Sequence, residues 1–161
     1  MRLMVVLSMA MSSIALEAIA LRSGRQSTAG NTAPAACSVL TRELVTAHSP
    51  ASKETLNLIV KIPPQEDKIG AGSSCQHGDV MLQIDPFPVA SFERLFGKWT
   101  PVPGVGDKAS FRDNKGEWAE LAVVAGARLV TIQMDVPTGR TAASIQSNTV
   151  SLAKAVLAKL K

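Results

Sequence analysis

The stretch ASFRDNKGEWAELAVVAGARLVTIQMDV, residues 109–136, decides the fold class. It divides into strand-like runs at about Ala109–Arg112, Glu117–Val124 and Arg128–Val136, separated by Asp113-Asn114-Lys115-Gly116 and by Ala125-Gly126. Turns this short make the neighbours antiparallel, because parallel partners need a long crossover between them. In the last run Val130, Ile132, Met134 and Val136 point one way while Thr131, Gln133 and Asp135 point the other. One face of this meander is therefore built to be covered.

The cover follows directly. Pro137-Thr138-Gly139 ends the sheet, and Thr141 is placed to cap a long helix running to about Leu160. Its apolar stripe is Ile145, Leu152, Ala153, Val156, Leu157 and Leu160. Upstream, Thr41 can cap a short helix to about His48, with Leu40, Leu44 and Val45 on one face. Leu56, Leu58, Val60 and Ile62 alternate with polar neighbours and read as a half-buried strand stopped by Pro63-Pro64. A polar loop is expected from there through Ser74. Gly78-Asp79 is a hairpin signal, followed by the alternating Val80, Leu82 and Ile84. Phe92, Leu95 and Phe96 fit one face of a short helix with Gly97 as its C′ residue. The sum is an α+β domain, an antiparallel sheet of about five to six strands with helices packed on one face.

The N-terminus carries a different signal. Arg2 precedes an uncharged run from Leu3 to Leu16, and Ala18-Ile19-Ala20 has small residues where a signal peptidase needs them. Residues 1–20 thus read as a signal peptide; Glu17 and three serines make the run a poor membrane span, which needs about 20 apolar residues. Residues 21–36 are small and polar and read as a flexible leader, leaving 37–161 as a single domain. The expected location is secreted or periplasmic, with no membrane span after cleavage.

Cleavage would remove one Arg and one Glu and leave the net charge at +4. Basic residues are dispersed from Arg22 to Lys161, and the chain holds four Phe, two Trp and no Tyr. That is not the basic stripe with interleaved aromatics of a nucleic-acid binder. Two cysteines, Cys37 and Cys75, read first as a disulfide in an exported chain. Two other uses stay open. Cys37 could carry a lipid, although Pro34-Ala35-Ala36 is not a lipobox and lies well beyond Ala20. Cys75, His77 and Asp79 could share one face and bind a transition metal, which competes with Gly78-Asp79 serving as the turn.

Other motifs dissolve under their structural requirements. Gly104-Val105-Gly106-Asp107-Lys108-Ala109 has the letters of a dinucleotide fingerprint, but prolines precede it and a strand follows where a helix is required. A turn with positive φ at glycine is the expected reading. Ser151 and Lys154 have the spacing of a nucleophile and its lysine without the companion elements of that chemistry. With two histidines and no acid–base pair around either, no catalytic residue and no cofactor is expected. The constrained loop Lys98 to Asp107 is the candidate binding surface, with Trp99, Gly104, Val105, Gly106 and Asp107 as its residues.

Cys37-Ser38-Val39-Leu40-Thr41 leading a helix, Ser74-Cys75 entering a strand, and Val105-Gly106-Asp107-Lys108-Ala109 together resemble a family. Its members are small exported domains, often lipoproteins in actinobacteria, with a Cys-x-Leu-Leu-Thr helix start, a second Cys and a Gly-x-Gly-Asp-x-Ala turn. The resemblance spans Cys37 to Leu160 and implies a bridge between the two cysteines, a fold similar to the photosystem-II subunit P type, and no catalytic residue. Lacking a lipobox, this chain departs from the lipidated members, so anchorage is not carried over. The functional expectation is an exported non-enzymatic domain that binds a protein or cell-envelope component. The alternative is a metal-binding or redox protein using Cys75, His77 and Asp79.

Overall fold

A computed structural model describes residues 33–161. The signal-peptide segment 1–20 and leader residues 21–32 lie outside the described residues. Three short helices come first, α1 (Ala36–Val39), α2 (Arg42–His48) and α3 (Lys53–Ile59). A three-strand meander follows, β1 (Gln65–Ile69), β2 (Gly72–His77) and β3 (Val80–Pro86). Then come α4 (Phe92–Phe96), the two-residue β4 (Thr100–Pro101), and the second meander β5 (Lys108–Asn114), β6 (Trp118–Ala125) and β7 (Arg128–Asp135). The last helix is α5 (Ala142–Lys159). All pairings are antiparallel in one seven-stranded sheet of order β1-β2-β3-β7-β6-β5-β4.

The α+β class stands, with a sheet wider than expected. The meander of β5, β6 and β7 and the helix α5 fall where hydrophobic alternation places them. Thr141 Oγ1 accepts the Ser144 N–H, and Ser144 Oγ accepts the Thr141 N–H, so the cap is reciprocal. The inner face, with Leu82, Ile84, Leu121, Ile132 and Met134 fully buried, packs beneath α1, α2 and α5. Ile145, Leu152, Ala153 and Val156 of α5 are fully buried in the same core.

Three expectations are corrected. Residues 53–59 form a helix rather than the expected strand over Leu56 to Ile62. Ser52 Oγ accepts the Thr55 N–H and starts it. None of its residues is buried, so period-2 alternation there reports no sheet face. The expected loop through Ser74 is the β1–β2 hairpin. Every residue of β1 is exposed, and Glu66, Asp67 and Lys68 charge this sheet edge against further pairing. Finally, α4 lies on the outer face: Phe92 packs with Ala122, Val124 and Leu129, joined by Phe87, Phe96 and Trp99. Leu95 is 52% exposed, leaving Phe92 and Phe96 as the packing pair, and Gly97 keeps right-handed backbone at φ −64° rather than acting as a left-handed cap.

Candidate functional site

Cys37 and Cys75 are joined in a disulfide that staples α1 to β2 across a sequence separation of 38. Next to it, the Ala36 N–H donates to Ser73 Oγ, whose hydroxyl donates to the Pro34 carbonyl. The end of the leader is thus docked on β2, and Ala36 is fully buried. Cys75 and His77 do share the inner face, but the Cys75 sulfur is committed to the bridge and offers no thiolate. His77 is 2% exposed, and neither ring nitrogen has a hydrogen-bond partner among the described residues. Burial, then the nearby Arg42 charge, push its pKa below the usual 6.5. No group of three or more His, Cys, Asp or Glu among the described residues could hold a metal ion.

The Gly104–Asp107 loop links β4 to β5 and is held by specific bonds. Gly104 and Gly106 have φ of +75° and +60°. A Cβ at Gly106 would lie 2.5 Å from the Val124 carbonyl oxygen, so the chain needs glycine there for space as well as conformation. The Asp107 N–H donates to that carbonyl at 2.7 Å, and its carboxylate accepts the Gly126 N–H at 2.7 Å. Val105 is buried in the core. The glycine–aspartate motif is therefore a clamp on the β6–β7 turn, and it leads into β5 as expected for a turn.

This clamp forms the wall between two grooves. One, of about 610 Å³, runs between the loop, the β6–β7 turn and the C-terminal end of α5. Arg128, Lys154 and Lys161 line it, with Asp107 as the acidic residue. Arg128 also donates to the Leu160 carbonyl and fixes the helix end. The other groove, of about 490 Å³, lies toward α4, where Lys108 pairs with Glu93 at 2.7 Å. Trp99 lines neither groove. Its ring meets Phe96 edge-on at 4.9 Å between centroids, and the Arg112 guanidinium lies 4.4 Å above it. Arg112 is in turn held by Glu120 through Nε and Nη2. The candidate binding residues are thus split: Gly104, Gly106 and Asp107 form the groove wall, Val105 anchors it from below, and Trp99 closes the outer aromatic cluster.

Sequence reading missed a second constellation. Asp79 in the β2–β3 turn accepts the Ser49 hydroxyl through Oδ2 at 2.5 Å, while its Oδ1 is buried without a partner among the described residues. The Asp135 N–H at the end of β7 donates to the Asp79 carbonyl at 3.0 Å, and both residues border one small hollow. Burial raises the pKa of both, and the Asp79 charge adds to the rise at Asp135. Their approach depends on the β3–β7 pairing, which no local pattern announces. Comparison of the chain with protein-family models, with curated proteins and with solved structures finds no match in any of the three.

Proposed function

We propose that this chain is an exported, non-enzymatic binding domain whose groove between the Gly104–Asp107 loop and the end of α5 engages an anionic protein or cell-envelope component. The observation that carries the binding site is the convergence of Arg128, Lys154 and Lys161 on one groove of about 610 Å³. Its acidic residue, Asp107, already spends a carboxylate oxygen on the Gly126 N–H. Three basic side chains against this one carboxylate leave the groove lining net positive, which favours an acidic partner.

Export is supported by the disulfide, which persists in oxidising compartments, and by the resemblance to exported Gly-x-Gly-Asp-x-Ala domains. No helix among the described residues is long and apolar enough to cross a membrane.

The test is a titration of the isotope-labelled protein with poly-L-glutamate, followed by amide shifts. Shifts centred on Gly104–Asp107 and Ala125–Arg128 that vanish in a Lys154→Glu, Lys161→Glu variant support the groove. Shifts spread evenly over all basic residues would sink it.

A further inference from the structure

The two aspartates are the shared wall of two depressions. On one side lies a groove of about 620 Å³, bordered by Thr55, Ile59 and Ile62 and by Gly78 and Pro137. On the other lies a smaller hollow of about 120 Å³, lined by Gln76, Met81, Trp118 and Gln133. Asp79 and Asp135 border both.

The groove is apolar and open by construction. Ile59 fills the space a Gly78 side chain would occupy, its Cγ2 only 1.7 Å from that Cβ position, so α3 seats directly on the β2–β3 turn. Ile62, which borders the groove, is 57% exposed. Large aliphatic side chains displayed next to a concavity mark a contact surface more often than isolated exposure does.

The hollow has the opposite chemistry and is short of partners. Asp79 Oδ1 and Trp118 Nε1 are both buried without a hydrogen-bond partner among the described residues. Neither aspartate forms an ion pair with a lysine or arginine among the described residues, where the ion pairs are Lys108–Glu93 and Arg112–Glu120. Two carboxylates bordering one hollow repel, and a cation placed between them would relieve that repulsion. Trp118 and Asp135 are direct cross-strand partners, so the indole stands beside the acidic pair. An indole ring next to carboxylates suits an ammonium or guanidinium group, and side-chain amides supply further acceptors. The volume matches about four waters, room for the end of one long basic side chain and not for a large ligand.

We propose that this is a second binding site, which docks a protein segment carrying a lysine or arginine flanked by aliphatic residues. The basic head enters the hollow between Asp79, Asp135 and Trp118. The flanking aliphatic side chains lie along Ile59 and Ile62. The site is independent of the cationic groove at Gly104–Asp107, and its ligand has the opposite charge.

The experiment titrates the isotope-labelled protein with the N-acetylated, C-amidated peptide Gly-Ile-Lys-Ile-Gly, and with the same peptide carrying norleucine or glutamate in place of lysine. The lysine peptide is expected to shift the Trp118 indole N–H and the amides of Gly78, Asp79 and Asp135. Asp135→Asn, on an exposed residue, should weaken binding by about tenfold, and Asp79→Asn with Asp135→Asn should abolish it. Ile62→Ser should weaken it with both carboxylates intact. Equal binding of the norleucine peptide, or the absence of any shift at these residues with the lysine peptide, overturns the proposal. Concentration-dependent self-association that is lost in the aspartate variants also overturns it, since the occupant would then be a second copy of this chain.

Discussion

The Asp107 carboxylate accepts the Gly126 N–H at 2.7 Å and so ties the β4–β5 loop to the β6–β7 turn. One residue earlier, Gly106 lies so close to Val124 that a methyl group would collide with its carbonyl oxygen. Both residues therefore shape the loop before any ligand arrives. Asp107→Ala is expected to lower stability by about 1 kcal/mol, the net worth of one exposed charge-assisted bond. Gly106→Ala should cost more, about 2–3 kcal/mol, because strain at positive φ adds to the clash. Urea denaturation of the two variants checks the order; equal and negligible losses would refute the clamp.

The Cys37–Cys75 bridge closes a loop of 38 residues, for which the chain-entropy model gives about 4 kcal/mol. Replacing both cysteines by serine should lower stability by about 3–4 kcal/mol. Protein from its native compartment, alkylated before and after reduction, should take up label only after reduction and have a mass beginning near Leu21. Label before reduction would show free thiols, and a mass retaining residues 1–20 would overturn cleavage.

How much of this was legible depended on burial. In β6 and β7, Leu121, Val123, Val130 and Ile132 face the main core while Ala122, Val124 and Leu129 meet the α4 aromatics on the other face, so these runs read as strands from their apolar character and short turns together. At Leu56 to Ile62 no side chain is buried, and the alternation is fortuitous: Leu56, Ile59 and Val60 also satisfy helical spacing. In β1, Gln65-Glu66-Asp67-Lys68-Ile69 buries nothing, so its strand character comes only from pairing with β2. The site divides in the same way. Positive φ at Gly104 and Gly106 follows from residue type, whereas the meeting of Asp79 with Asp135 is a product of tertiary pairing.

That meeting has a pH signature. A carboxyl whose pKa is raised by folding holds more protons in the folded state than in the unfolded state. Its unfavourable contribution therefore grows as pH rises from the ordinary 3.8 through the raised value and persists at neutrality. Asp135→Asn removes the contribution of Asp135, which burial and the Asp79 charge both make unfavourable, so it should raise the melting temperature at pH 7. The gain should shrink as pH falls toward the ordinary carboxylate range. His77 acts oppositely: its pKa is lowered, so its contribution is complete above 6.5 and is lost as pH falls from there through the folded value. Thermal melts of the parent and Asp135→Asn across this range test both signs. An Asp135→Asn protein less stable at pH 7 would mean that the pair is not repulsive.

Trp99 separates packing from recognition. Its ring is covered on one side by Arg112 and met edge-on by Phe96, and it lines neither groove beside Gly104–Asp107. Trp99→Ala should therefore cost about 2 kcal/mol through lost aromatic packing and cation–π contact. Binding of poly-L-glutamate at the Arg128–Lys154 groove should be unchanged. Trp99→Phe, which keeps an aromatic face for Arg112, should recover more than half of the lost stability. If Trp99→Ala leaves stability intact and weakens the groove titration instead, then the indole belongs to the binding surface. The Arg112–Glu120 pair beneath it would then act as its support rather than its partner in packing.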